Sequence, residues 1–148
     1  MIKQTAIKHN FNTTKDEEVW MEFEIMGNFP TLNEILRKKN NPHAYNKMKK
    51  NLEEKARIFY RNQIRFHRYQ TPLKRTVRII FDWYVTSRAK DPDNIDAARK
   101  FLIDALVDEG VLLKDNLTIV KELESRFLID TKNPRVRIFL CKPKYNLV

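Results

Sequence analysis

Two aspartates lie two residues apart, after an apolar segment and a short basic connector, Ser87 to Lys90, and before a segment with helical periodicity. Asp91 and Asp93 flank Pro92, and proline disfavours the helical conformation in the residue before it. We therefore expect Asp91 at the exit of a strand and Asp93 at the entrance of a helix. In an extended segment the two side chains point the same way, and converging carboxylates repel each other unless a cation lies between them. The spacing predicts a site for a hard divalent cation such as Mg²⁺, which takes oxygen ligands and needs few of them from protein.

The same aspartates also fit a structural role. An aspartate at the first position of a helix caps free backbone N–H groups, and an acid in the first turn, such as Asp96, interacts favourably with the helix dipole. The D-x-D pattern is short and common. On spacing alone, helix capping is the more frequent role, and it stands as the alternative to a metal site.

A lysine and a third aspartate follow the pair. Lys100 lies seven residues after Asp93, which places both on one helix face two turns apart. Its ammonium could stabilise charge that develops on a phosphate, or it could pair with Asp104 four residues later. Asp115 stands between the loop at 110–114 and the next predicted strand. Taken alone, Asp115 would be interpreted as a turn residue.

The composition favours a polyanionic partner. Among 148 residues, 29 Lys and Arg face 19 Asp and Glu, for a formal net charge of +10. A domain this basic indicates nucleic acid as the first candidate partner, with a generically basic protein as the alternative. Two glycines in the whole chain argue against Gly-rich phosphate loops.

Cysteine usage and hydropathy indicate the compartment. A single cysteine, Cys141, allows no internal disulfide. No apolar run approaches the ~18 residues of a membrane span. The first residues also lack the apolar core of a signal peptide. We therefore expect a cytoplasmic protein in a reducing compartment, with no membrane partner.

A long amphipathic helix is predicted over residues 45–68. Its expected inward face consists of apolar residues at helical spacing, namely Tyr45, Met48, Leu52, Ala56, Phe59 and Phe66. A second face is basic, and no acidic stripe matches it along the same segment. Such a stripe is either a solvated surface or a phosphate-binding face. The residues predicted to contact DNA are Arg57, Arg61, Arg65 and Arg68 of this helix, with Arg88 and Lys90 before the aspartate pair.

The remaining periodicities predict one small α+β domain. Strand alternation covers residues 19–26, 75–86, 119–127 and 135–141, and helices are predicted at 31–37, 45–68 and 92–107. Thr31 with Glu34 predicts a capping box, Gly110 predicts a helix stop, and residues 130–134 predict a turn. The order β-α-β-α-β-β predicts a single mixed sheet backed by helices. Residues 1–18 are assigned to an N-terminal extension and residues 19–148 to the domain.

The stretch from Arg88 to Val120 resembles the RusA family of Holliday junction resolvases, found in bacteria and their phages. The shared pattern has basic residues, a D-x-D-N motif, a helical lysine, a D-A-L segment, a glycine and a final aspartate. The matching residues are Arg88, Lys90, Asp91-Pro92-Asp93-Asn94, Lys100, Asp104-Ala105-Leu106, Gly110 and Asp115. This match covers about a fifth of the chain. A weaker similarity lies in Phe29-Pro30-Thr31-Leu32-Asn33.

The resemblance implies a Mg²⁺-dependent endodeoxyribonuclease, with Mn²⁺ as a substitute metal. It implies that Asp91, Asp93 and Asp115 are the catalytic, metal-binding carboxylates and that Lys100 is catalytic. Two departures concern the last two residues. The spacing from Asp93 to Lys100 is about three residues longer than in the best-known member, so that Lys100 is assigned from its distance to Asp104-Ala105-Leu106. The chain also has Lys114 before Asp115, where some members have paired aspartates.

The implied substrate is branched DNA, a four-way junction resolved by paired symmetric nicks in recombination and repair. The resemblance also implies a homodimer, whose two-fold axis would match that of the junction. Apolar residues on exposed strand faces, such as Trp20, Trp83 or Phe139, are candidates for the dimer contact. Two other functions stay open at this stage: a non-catalytic basic DNA-binding protein in which the aspartates cap helices, and a nuclease for flaps, forks or RNA.

Overall fold

A computed structural model describes residues 13–145 of the chain. It contains one four-stranded mixed sheet and a set of helices, so the predicted α+β class is confirmed and the predicted element order fits in outline. The single helix predicted at 92–107 is divided into two helices in the structure. The elements are β1 (Val19–Met26), α1 (Leu32–Lys38), α2 (Pro42–His67), β2 (Val77–Val85), α3 (Pro92–Asp96), α4 (Arg99–Asp108), β3 (Val120–Ile129) and β4 (Arg135–Cys141).

Local signals placed several element ends correctly. The hydroxyl of Thr31 accepts a hydrogen bond from the Glu34 backbone N–H at 3.2 Å, so that α1 begins with the predicted cap. Gly110 follows the end of α4 with a φ of +79°, a left-handed conformation that glycine adopts at low cost. The Asp130 carboxylate accepts hydrogen bonds from the Lys132 and Asn133 N–H groups at 3.1 Å, which confirms the predicted turn.

The sheet has the strand order β1-β4-β2-β3. β4 is antiparallel to both of its neighbours, and β2 and β3 are parallel. The last strand of the chain is therefore inserted between the first two, and the turn at 130–134 joins strands that are not neighbours. Because β1, β2 and β3 run in one direction, Gly27 and Thr86 lie at the same end of the sheet, together with the aspartate pair that follows β2.

The helices cover one face of this sheet. α2 packs on α4 and on β1, and its inward stripe is Met48, Leu52, Ala56 and Tyr60. The prediction of Phe66 on this stripe was wrong, because its side chain is 81% exposed. Phe66 lies six residues beyond Tyr60, which turns it about 240° around the helix.

β2 is buried on both faces, which the prediction of a half-exposed strand did not anticipate. Val77, Ile79, Phe81 and Trp83 face the helices, and their neighbours Arg78 and Asp82 are covered by charged partners. The Asp82 carboxylate accepts two hydrogen bonds from Arg126, at 2.6 and 3.1 Å. The acids that contact the Arg78 guanidinium are Glu17, Glu122 and Glu124. A polar residue in a strand therefore marks an ion-pair layer here and not a solvated face.

Two of the aromatic residues proposed as dimer contacts are buried within the protomer. Trp83 is 2% exposed and Phe139 is 1% exposed, so that neither can meet a second copy. Trp20 is partly buried, and the Arg75 guanidinium lies 4.7 Å from its ring centre. The reason is that both sheet faces are occupied near the central strands, one by helices and the other by long charged side chains.

The extension and the chain ends are described only in part. Residues 1–12 and 146–148 lie outside the described residues, so the boundary at residue 18 stays a prediction. Within the described part of the extension, Glu17 forms ion pairs with Arg78 at 3.8 Å and with Lys144 at 3.2 Å.

Between residues 13 and 145, no helix has both the length and the apolar character needed to cross a membrane.

The contact between α2 and α4 includes a buried hydrogen bond, from the Tyr60 hydroxyl to the Leu102 carbonyl at 2.9 Å. We expect Tyr60→Phe to lower the free energy of unfolding by about 1 kcal/mol, because the bond is lost while the ring still fills its site. Urea unfolding followed by circular dichroism measures this change. Tyr45→Phe is the matched control, since this tyrosine packs edge-on against Phe101 and has no hydroxyl hydrogen bond among the described residues. Equal losses in both variants would contradict the assigned role of the Tyr60 hydroxyl.

Candidate active site

Asp91 and Asp93 lie where the connection after β2 meets α3. Because β2 ends at Val85 and Asp93 is already helical, the expected extended segment with both side chains on one side is not formed. Asp91 is the residue before the helix, with φ −79° and ψ 138°, and Pro92 occupies the first helical position. The Asp91 backbone carbonyl accepts hydrogen bonds from the N–H groups of Asn94 and Ile95, at 3.0 and 3.1 Å. Its carboxylate, however, makes no capping hydrogen bond. The alternative in which Asp91 serves as a side-chain cap is therefore not realised.

Both carboxylates are exposed and without protein partners. Among residues 13–145, neither Asp91 nor Asp93 has a side-chain hydrogen bond or an ion pair. Elsewhere in the described chain, most acidic side chains pair with arginine or lysine. Two neighbouring carboxylates that stay free in a chain of net charge +10 are available to an external ligand.

The helix that carries the pair is fixed from two sides. The Asn94 side-chain oxygen accepts a hydrogen bond from the Asn33 backbone N–H at 3.1 Å. The two sequence segments that carry the family resemblance are therefore in contact. On the inner side, the Asp96 carboxylate accepts hydrogen bonds from the Trp83 indole at 3.0 Å and from the Ser125 hydroxyl at 2.5 Å.

Asp96 thus has a role that sequence reasoning missed. The sequence predicts Asp96 as a first-turn acid that interacts with the helix dipole, but this residue ends α3 and also pairs with Arg99 at 3.3 Å. Its hydrogen bonds to Trp83 and Ser125 join α3 to β2 and β3. No local pattern in the sequence marks these two partners, because they lie 13 and 29 residues away along the chain.

Lys100 connects the helix to the third aspartate. Its ammonium donates to Asp104 and to Asp115, each at 2.9 Å. These hydrogen bonds raise the pKa of Lys100 above its ordinary value, that from Asp104 most strongly. The hydrogen bond from Lys100 is also the main cause that lowers the pKa of Asp115. Near neutral pH, Lys100 is therefore a charged donor that cannot act as a base, and Asp115 is ionised.

The predicted site residues fall into two groups. Asp91 and Asp93 lie two residues apart at the start of α3, and Lys100 is hydrogen-bonded to both Asp104 and Asp115. The helical segment between them is interrupted after α3, at Ala97 and Ala98, within the interval where the sequence has its longer spacing. No group of three or more His, Cys, Asp or Glu side chains within residues 13–145 is arranged to hold a metal ion. A single three-carboxylate site is therefore still a prediction, and Lys100 is the residue that engages Asp115.

The basic residues proposed to contact DNA divide into two kinds. Arg57 donates to Glu109 at 3.1 Å, and Arg61 contacts both oxygens of this carboxylate at 3.0 Å. The hydrogen bond from Arg61 is the main cause that lowers the pKa of Glu109. These two arginines fasten α2 to the end of α4. The others are exposed and have no side-chain hydrogen bond or ion pair in the described part of the chain: Arg65, Arg68, Arg88 and Lys90.

Neither a protein-family model nor a curated protein matches this chain. The resemblance to the resolvase family therefore rests on the motif residues alone.

Proposed function

We propose that this protein is a Mg²⁺-dependent endodeoxyribonuclease that resolves four-way DNA junctions by paired symmetric nicks. The observation that carries the proposal is the pair Asp91 and Asp93, whose carboxylates are exposed and have no partner among the described residues at the start of α3. The backbone around them is fixed by Pro92 and by the Asn33–Asn94 hydrogen bond. A proposed setting for this activity is the cytoplasm of a bacterium, with the gene carried by the host or by a phage.

The donor set of the first group fits a hard cation. Asp91 and Asp93 offer carboxylate oxygens without competing protein donors, and Mg²⁺ usually binds through one or two carboxylates while it keeps several waters. Mn²⁺ accepts the same ligands. When bound, such an ion supplies an activated water and neutralises charge on the leaving oxygen. To join this set, the Asp115 carboxylate would have to give up its hydrogen bond with the Lys100 ammonium. Lys100 would then keep only its hydrogen bond to Asp104.

Lys100 would contribute a fixed positive charge. Its ammonium is held by Asp104 on its own helix, so that its position does not depend on Asp115 alone. A charged donor next to a phosphodiester stabilises the negative charge that develops during cleavage. Its side chain is 66% exposed, which leaves it accessible to a DNA phosphate.

The unpaired basic residues would hold the DNA backbone. Arg88 and Lys90 immediately precede Asp91, whereas Arg65 and Arg68 lie at the end of α2, near the start of β1. The two groups lie toward opposite ends of the sheet, whose strand β2 has nine residues and a length of roughly 25–30 Å. An arm of the junction that follows the domain would thus meet positive charge at both ends. Contacts of this kind are independent of sequence and weaken steeply with salt.

A homodimer is part of this proposal. A four-way junction has approximate two-fold symmetry, and a C2 dimer would present two equivalent sites to the two strands that are cut. Because Trp83 and Phe139 are buried, the dimer contact must use other surfaces.

One observation favours a second function, a non-catalytic DNA-binding protein. Asp115 is bonded to Lys100 and not grouped with Asp91 and Asp93, as would suit a protein that never assembles a metal site. In this case the basic surface would bind branched DNA without cutting it. A nuclease with another preference, for flaps or replication forks, is a further alternative within the same chemistry.

The deciding experiment compares cleavage of a four-way junction, a flap, a fork, a plain duplex and single-stranded RNA, each with and without Mg²⁺. We expect symmetric nicks in the junction alone, and only when Mg²⁺ is present. Binding of all DNA substrates without any nicking would favour the DNA-binding alternative. Faster cleavage of flaps or forks than of the junction would identify those structures, and not the four-way junction, as the preferred substrate.

A further inference from the structure

A basic groove between α1, α2 and the segment after β1 plays no part in the site described above. It has a volume of about 460 Å³, which lies within the range of small-ligand pockets. Its polar edge carries three lysines and two asparagines: Lys38, Lys47, Lys55, Asn28 and Asn51. No acidic residue lines it among the described residues. The groove is therefore a concentrated positive site with amide groups beside it.

The helix α2 supplies two parallel rows to this groove. Lys47, Asn51 and Lys55 are spaced at four residues and form the polar row. Ala44, Met48 and Leu52 have the same spacing and form an apolar floor. Charged donors thus stand next to an apolar surface, so that a ligand with an anionic end and a flat apolar part would satisfy both.

Lys55 is the most constrained of the three lysines. A side chain at Gly27 would come within 2.7 Å of the Lys55 ammonium, so the glycine provides the space that the ammonium occupies. The ammonium lies 5.2 Å from the centre of the Phe29 ring and has no hydrogen bond or ion pair among the described residues. Burial lowers the pKa of Lys55 from its ordinary value. A partly desolvated cation without a carboxylate partner is stabilised by an incoming anion.

A second groove of similar size has a different set of charged residues. It lies between β1 and the end of α2, with a volume of about 450 Å³. Two carboxylates line it, Glu22 and Glu24, and both form ion pairs with Arg137. Its charges are neutralised within the protein, whereas those of the first groove are not.

We propose that the basic groove binds one unpaired nucleotide of a DNA strand, with the phosphate on the lysines and the base on the apolar floor. Asn28 and Asn51 are placed to form hydrogen bonds with the base edge, as amide side chains do in other nucleotide pockets. The assignment to a DNA strand rests on the proposed function. It is supported by α1, which lines the groove through Lys38 and contacts the D-x-D-N helix through Asn33.

Binding of thymidine 5′-monophosphate to the full chain tests the groove without requiring metal or cleavage. Amide shifts in NMR spectra should titrate at Asn28, Asn51 and Leu52, with tighter binding than for thymidine or inorganic phosphate. Lys47→Gln should weaken binding about tenfold, the effect of losing one charge-assisted hydrogen bond. Lys50→Gln is the matched control, because it makes the same change on an exposed residue of α2 outside the groove.

A single-stranded oligonucleotide should displace the mononucleotide from the groove. Absence of saturable binding, or equal weakening by Lys47→Gln and Lys50→Gln, would overturn the groove assignment. Mononucleotide binding without displacement by the oligonucleotide would overturn the DNA assignment in favour of a free nucleotide. Binding and displacement in a protein that never nicks DNA would leave the groove in place and refute only the nuclease proposal.

Discussion

Asp93→Asn is expected to lower the rate of junction cleavage about 1000-fold while junction affinity stays within about threefold. A bound metal contributes several kcal/mol of transition-state stabilisation, and each 1.4 kcal/mol changes the rate tenfold. The amide retains the shape of the side chain but is a far weaker ligand for a hard cation. Single-turnover cleavage at saturating Mg²⁺ and a binding titration in Ca²⁺ or chelator separate the two effects.

The matched control for this change is Asp108→Asn. Asp108 is also an exposed aspartate, at the end of α4, and its replacement adds the same charge to an already basic protein. We expect this variant to cleave at the normal rate. A general electrostatic effect on DNA binding would instead appear in both variants. Normal cleavage by Asp93→Asn would refute the assignment of the D-x-D pair.

Loss of folding does not explain the expected result. Asp93 is exposed and has no side-chain partner among the described residues, so that an amide at this position should change stability by less than about 0.5 kcal/mol. Thermal unfolding of the variant checks this point. A large destabilisation would mean that the carboxylate interacts favourably with the first turn of α3.

The local parts of the fold were predictable from periodicity and end signals. Strands β1 and β4 have the predicted limits, and the cap at Thr31 and the stop before Gly110 are where their residue types indicate. The insertion of β4 between β1 and β2 was not predictable, because strand order depends on pairing between residues distant in sequence. The burial of β2 on both faces was missed for the same reason, since the partners of Arg78 and Asp82 come from other segments.

In the candidate site, too, the local contacts were predictable and the contacts between distant residues were not. The Lys100–Asp104 pair follows from a four-residue spacing, and the position of Asp91 before a helix follows from Pro92. The engagement of Asp115 by Lys100 and the capture of Arg57 and Arg61 by Glu109 are tertiary contacts, 15, 52 and 48 residues apart. Two of the four arginines predicted on the basic face of α2 are therefore paired, because Glu109 at the end of α4 accepts their hydrogen bonds.

Lys100→Met is expected to lower the rate of junction cleavage about 100-fold at saturating Mg²⁺, the effect of removing one charged donor from a developing oxyanion. Methionine keeps the unbranched stem, so that the helix and its packing are preserved. The Mg²⁺ concentration for half-maximal cleavage should not rise, because Asp115 loses the ammonium that engages it and is free to bind metal. Cleavage measured across a Mg²⁺ titration gives both quantities.

Lys114→Met provides the comparison that separates a local role from general charge. Lys114 is exposed, precedes Asp115 directly and has no side-chain partner among the described residues, so its loss should leave the rate within about threefold. Equal losses in the two variants would assign Lys100 to general attraction of DNA. Faster cleavage by Lys100→Met would show that the ammonium inhibits the enzyme by withholding Asp115. The expected combination, a slower rate with undiminished metal affinity, requires the ammonium to act on the phosphate and not through the aspartate.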